Sequence, residues 1–152
     1  AQELPRKVEN VEVLDLDGEP ARLPHFGEKH LMIFYVDPDR HKQNEDFTVE
    51  LEQNHRAESD NIYGFGVMNL KDAPMVPNGM ARNMAKKRTA KNGATVLADQ
   101  NRILSTAWAL GDCNNQFVLM IVSKEGELVF LRKGELSDAD KEAFYETIEK
   151  YK

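Results

Sequence analysis

Two short polar stretches hold the residue types that could do chemistry. One is Asp37-Pro38-Asp39-Arg40-His41; the other is Asp112-Cys113-Asn114-Asn115-Gln116. Two carboxylates beside an imidazole could hold a divalent ion loosely. The same groups with Arg40 could bind a charged ligand or partner, since open α/β sheets bind beyond their strand ends. A cysteine near an imidazole could ionise more readily and become reactive. Each stretch also has a plainer reading. Asp37 or Asp39 can cap the helix that follows, where acidic charge suits the positive helix end. Cys113 can be an ordinary small loop or core residue.

Cysteine arithmetic limits the chemistry further. Cys113 is the single cysteine among 152 residues. It cannot form an internal disulfide, and it cannot build a thiolate zinc site alone. Other polar clusters add little. His25, His30, His41 and His55 form no ligand signature, and His25 and His30 are expected at the surface. Lys86, Lys87, Arg88 and Lys91 read as a solvated helix face near a C-terminus. Met80 and Met84 fit core packing at helical spacing, so with Met68 and Met75 they make no soft-metal box. No metal and no cofactor are expected, with Asp37, Asp39 and His41 as the weak metal candidates.

The elements that must position these stretches follow from hydrophobic patterning. Leu31–Val36 is apolar throughout, as a strand covered on both faces should be. Pro38 biases Asp37 away from helical geometry, so the strand ends there. A helix is expected from about His41 to Ala57, with Phe47 and Leu51 on its inner face. Asn61–Met68 returns as a strand, Leu70–Gly79 reads as a loop or lid, and a helix runs from about Pro77 to Lys91. Thr95–Ala98 is a short strand. Ile103 to Trp108 is a short helix that Gly111 ends. Phe117–Val122 and Leu128–Leu131 form a hairpin of two buried strands around Lys124-Glu125-Gly126. Ser137 with Asp140 resembles a capping box, and an amphipathic helix closes the chain. Before the core strand, Val11–Leu16 and Ala21–Leu23 flank an Asp17-Gly18 turn. This order implies one domain over residues 1–152, with a mixed sheet and helices on both faces.

Composition sets the outer limits. The chain is 41% apolar and 30% charged with a net charge of −6, and its isoelectric point is about 5.3. An acidic total argues against nucleic acid, because phosphate neutralisation needs a basic face. No apolar run approaches the roughly 18 residues of a membrane span. The Ala-Gln-Glu start fits a mature chain after signal cleavage, and equally a trimmed chain. The oligomeric state is left open.

The order of elements resembles the thioredoxin fold with an N-terminal β-hairpin extension. LDLDGEPARLPHFGEKHLMIFYV resembles the first part of peroxiredoxins and thiol-disulfide oxidoreductases. VLADQNRILSTAWALGDCNNQFVLMIVSKEGELVFLRKGELS resembles their C-terminal half, and together the two cover about 65 residues. The closing KEGELVFLRKGELSDAD most resembles YtfJ-type periplasmic proteins. The resemblance implies a periplasmic or secreted protein, with a cytoplasmic one as the alternative, and it implies that the 112–116 loop faces the 37–41 loop. It also exposes departures. Catalytic relatives carry Cys-x-x-Cys just after the core strand, where a gapless reading puts Asp39 and Lys42. They carry a cis-proline before the late core strand, where this chain offers Asn115, Gln116 or Phe117. Dithiol exchange needs an attacking and a resolving thiol. The expectation is therefore a protein without dithiol chemistry that binds a protein or small ligand through Asp37, Asp39, Arg40, His41, Asp112, Cys113, Asn115 and Gln116. The alternative is a single-thiol redox or peroxide-handling enzyme that uses Cys113.

Overall fold

Among the described residues, eight strands form one sheet in the order β1-β8-β7-β4-β5-β6-β2-β3. A computed structural model describes residues 6–15, 19–36, 46–47, 50–51, 60–69, 87, 96–99, 102–110 and 117–151. The strands are β1 (Arg6–Lys7), β2 (Glu12–Leu14), β3 (Pro20–Arg22), β4 (His30–Val36), β5 (Ile62–Asn69), β6 (Val96–Asp99), β7 (Phe117–Val122) and β8 (Glu127–Lys133). The helices are α1 (Ile103–Ala107) and α2 (Asp138–Tyr151). Asp46, Phe47, Glu50, Leu51 and Lys87 are also helical.

β4 is the axis of the sheet. It pairs in parallel with β5 over seven residues and antiparallel with β7 over six. β5 carries β6 in parallel, and β2 and β3 follow antiparallel. The β-branched and aromatic content of Ile33, Phe34, Tyr35 and Val36 suits such a central position. Gly64 lets β4 and β5 pack closely: a Cβ there would sit 2.8 Å from Met32 Cε.

Alternation along β4 divides the apolar side chains between two clusters. Leu31, Ile33 and Tyr35 lie in one, with Leu104 and Trp108 around α1. Met32, Phe34 and Val36 pack against the other, which holds Phe47, Leu51 and the α2 residues Phe144, Tyr145 and Ile148. The first set is fully buried and the second half-buried. Phe47, Phe130 and Tyr145 all meet the Phe144 ring edge-on, at 5.4–5.9 Å. Edge-on approach is the favoured aromatic geometry.

Four details differ from expectation. β1 carries no hydrophobic alternation that would announce it; Arg6 and Lys7 pair with Leu128 and Glu127 at the sheet edge. β8 is not fully buried: Leu128 and Phe130 are buried, while Val129 and Leu131 are half-buried against the two core clusters. α1 stops before Gly111. Its last turn closes through Leu110 N–H to the Ser105 carbonyl (2.9 Å) and Ala109 N–H to the Thr106 carbonyl (3.3 Å), with Ala109 at φ +52°. That is a Schellman end with alanine at the left-handed position usually held by glycine. Finally, His30 is buried, at 9% exposure. It was expected at the surface, but it opens the central strand under the β7–β8 turn and the end of α2.

The Ser137–Asp140 capping box is present in both directions. Asp140 N–H donates to Ser137 Oγ and Ser137 N–H donates to Asp140 Oδ2, each at 3.1 Å.

Candidate functional site

The C-terminal ends of the parallel strands meet the start of β7 at one end of the sheet. Val36 is the Cα partner of Met68 on one side and of Phe117 on the other. Asn69 is the Cα partner of Asp99. The 37–41 stretch continues from Val36, and the 112–116 stretch leads into Phe117. Asp37, Asp39, Arg40, His41, Asp112, Cys113, Asn115 and Gln116 themselves lie outside the described residues, as do His55, Leu70–Gly79, Met75, Met80 and Met84.

Beneath those strand ends is a buried polar group that the sequence reading did not single out. Asp99 is fully buried at the end of β6. Its Oδ2 accepts the Tyr35 hydroxyl and the Leu104 N–H, and its Oδ1 accepts the Ile103 N–H, all at 2.9 Å. A buried carboxylate must be satisfied in this way. The first two amides of α1 have no partner within the helix, and Asp99 supplies one from outside it. Arg102, the residue before the helix, takes φ +56°, which turns the chain so that both amides point back at Asp99. With three donors converging on it, Asp99 anchors α1 and the end of β4. The detectable signals were an acid ending a short apolar strand four residues before a helix, and a tyrosine in the otherwise apolar run Leu31–Val36.

The N-terminal segment secures the other end of α1. Arg6 donates to the Trp108 carbonyl at 2.6 Å, and Trp108 Nε1 donates to the Glu9 carbonyl at 2.7 Å. Lys133 at the end of β8 donates to the Leu110 carbonyl at 2.5 Å. The backbone on both sides of the 111–116 stretch is therefore tied down, since Gly134 N–H also donates to the Phe117 carbonyl at 2.7 Å. Among the described residues no group of three His, Cys, Asp or Glu side chains could hold a metal ion.

No family model matches the chain, and no curated protein matches it by sequence. Solved structures do. An exposed lipoprotein thioredoxin from Streptococcus pneumoniae superposes with a TM-score of 0.64 at 18% identity, covering 93% of this chain and 99% of its own. A peroxidoxin from Mycobacterium tuberculosis gives 0.66 at 14% identity, covering 100% and 99%. A peroxiredoxin-like protein from Aquifex aeolicus gives 0.65 at 11%, covering 97% and 88%. The fold is thioredoxin-like. This thioredoxin-like chain has one cysteine, so a Cys-x-x-Cys pair has no place in it. Among the described residues, no helix is long and apolar enough to cross a membrane.

Proposed function

We propose that the protein works by recognition, without dithiol exchange, and that a protein or small ligand is met by residues 37–41 and 112–116 at the end of the sheet where β4 ends and β7 begins. The observation that carries this reading is a thioredoxin-like fold in a chain with one cysteine. The β4–β7 register supports it, because Val36 and Phe117, from which the two stretches depart, are partners. We read the scaffold as a sheet with helices on both faces and an N-terminal hairpin; the two hydrophobic clusters and the β2–β3 pairing support that. The closing stretch resembles YtfJ-type proteins, and we place the protein in the periplasm or outside the cell on that resemblance. Fractionation of cells expressing the full gene tests the location.

The functional test has two arms. Insulin disulfide reduction should stay at background. A photo-crosslinking residue at position 40 should capture a discrete partner in cells, and capture should fall when Asp37 and Asp39 are changed to Asn. Robust reductase activity that vanishes in Cys113→Ser would sink the proposal.

The peroxiredoxin-like structures among those similar to this chain favour a second reading, single-thiol chemistry at Cys113. It requires a thiol that ionises early. Alkylation of Cys113 no faster than that of a free cysteine across about pH 5–8 would remove it.

A further inference from the structure

The end of the sheet remote from the candidate site carries a titratable group that recognition does not use. His30 opens β4 and is 9% exposed. Its backbone N–H donates to the Asn61 carbonyl at 2.9 Å. Its Nδ1 accepts the Lys124 N–H at 3.0 Å. An accepting Nδ1 bears no proton, so the ring is neutral with its proton on Nε2. The imidazole also lies 4.6 Å from the Tyr151 ring, tilted by 53°. One side chain thus joins the first residue of the central strand, the β7–β8 turn and the last turn of α2.

The turn is suited to moving as a unit. Ser123 accepts the Gly126 N–H at 2.9 Å, and Gly126 takes φ +83°, a conformation that favours glycine. On its other side the turn rests on the N-terminal segment. Lys7 Nζ donates to the Glu125 carbonyl at 2.7 Å, and Val8 N–H donates to the Gly126 carbonyl at 2.9 Å. Neither bond involves His30, so the turn keeps a pivot if the His30 contact is lost.

We propose that His30 is a proton-operated latch: a proton taken from solvent onto Nδ1 removes the acceptor of the Lys124 N–H and releases the 124–126 turn and the last turn of α2 together. In the imidazolium both nitrogens are donors, and Nδ1–H would face the Lys124 N–H, donor against donor. The Glu125 carboxylate, one residue along, is the acceptor that replaces it when the turn rotates. Among the described residues, the charged groups that act on the ring are Glu125 and Lys124 of the turn; α2 contributes Tyr151, and the chain before β5 offers the Asn61 carbonyl. Burial holds the imidazole below its usual range, Glu125 opposes that, and Lys124 adds to it. Glu125 stays ionised while His30 titrates, because its own backbone N–H, above all, holds its carboxyl low. The device is closed at neutral pH and opens on acidification.

The test is a backbone and imidazole NMR titration of the full chain from about pH 8 to 5, with amide exchange measured at each end. The Lys124, Glu125 and Tyr151 amides should shift with one midpoint, equal to that of the His30 ring and below the roughly 6.5 of a free histidine. Exchange at residues 148–151 should rise at least about tenfold through that midpoint, while β4 to β6 stay protected. His30→Gln, whose amide oxygen can still accept the Lys124 N–H, should abolish the transition. Glu125→Gln should move it to lower pH. The proposal is overturned if Lys124 and Tyr151 titrate apart from His30, or if the transition survives in His30→Gln. It is equally overturned if the His30 ring titrates only as Trp108 fluorescence reports global unfolding. That last readout needs no variant, so the latch stays testable should His30→Gln fail to fold.

Discussion

The Tyr35 hydroxyl donates to the Asp99 carboxylate at 2.9 Å, and neither residue has any exposed surface. The bond spans 64 positions of sequence and ties the end of β4 to the start of α1. Removing either partner leaves a buried polar group in the core, which costs more than the bond itself contributes. Asp99→Ala should destabilise by about 3 kcal/mol, since it removes the buried acceptor of the Tyr35 hydroxyl and of two helix amides. Tyr35→Phe should cost about 1–2 kcal/mol. The double variant should cost clearly less than the sum of the two. Urea unfolding of the four proteins measures this, and strict additivity would show that the two residues are not coupled.

A second expectation comes from Ala109. Its φ of +52° places a Cβ in the left-handed region, at a cost of about 1–2 kcal/mol. Ala109→Gly relieves that strain, while the freer unfolded chain takes back about 0.4–1 kcal/mol. The net expectation is a gain near 0.5 kcal/mol, visible as a higher urea midpoint at unchanged slope. Loss of stability there would mean that the alanine methyl packs in a way the geometry does not indicate.

The central strand, the 117–133 hairpin region and the closing helix were legible because their signals are local: an unbroken apolar run, an acidic-Gly turn, a capping box. β1 was not legible, since two basic residues at a sheet edge have no pattern of their own and are ordered by Leu128 and Glu127 far along the chain. His30 was misread for a related reason. A histidine flanking an apolar run looks like a boundary residue, and only the return of the β7–β8 turn and Tyr151 buries it. Asp99 was passed over because its partners, Tyr35 and the α1 amides, are assembled by the fold and not by spacing. The resemblance to thioredoxin-like proteins carried the fold correctly where composition alone could not choose among α/β architectures. The residues it pointed to for recognition are those of the 37–41 and 112–116 stretches, and their roles rest on experiment.

The capping box gives a third prediction. Ser137 and Asp140 satisfy each other's backbone amides, and Arg132 Nε donates to Asp140 Oδ1 at 3.0 Å. The Ser137 backbone N–H, above all, holds the Asp140 carboxyl below its usual range; burial opposes it, and the Ser137 hydroxyl and Arg132 add to the lowering. A depressed acid contributes stability that is present above the ordinary carboxylate value of about 3.9 and is lost as pH falls through the folded value. Ser137→Ala should cost about 1 kcal/mol at neutral pH, and its deficit relative to the parent should shrink as pH falls through the depressed folded value of Asp140. A deficit that stays constant down to pH 2 would assign the loss to the hydroxyl alone.

His30 sets a separate and higher limb of the pH profile. Its folded value lies below the unfolded one, chiefly because burial disfavours the charged ring. Between the two values the unfolded chain binds more protons, so stability rises with pH. The contribution is complete above about 6.5, the unfolded value, and is lost as pH falls from there through the folded one. Stability from urea titrations should therefore be flat from about pH 8 to 7 and begin to decline near 6.5, well before the carboxylates protonate. His30→Gln should flatten that early limb and leave the later, carboxylate limb in place. His25→Gln provides the control, since that ring is exposed beside Glu28 and touches neither Lys124 nor Tyr151 in the contacts described. If the parent and His30→Gln lose stability with the same slope between pH 7 and 5, the early limb belongs to another group and the buried imidazole carries no part of it.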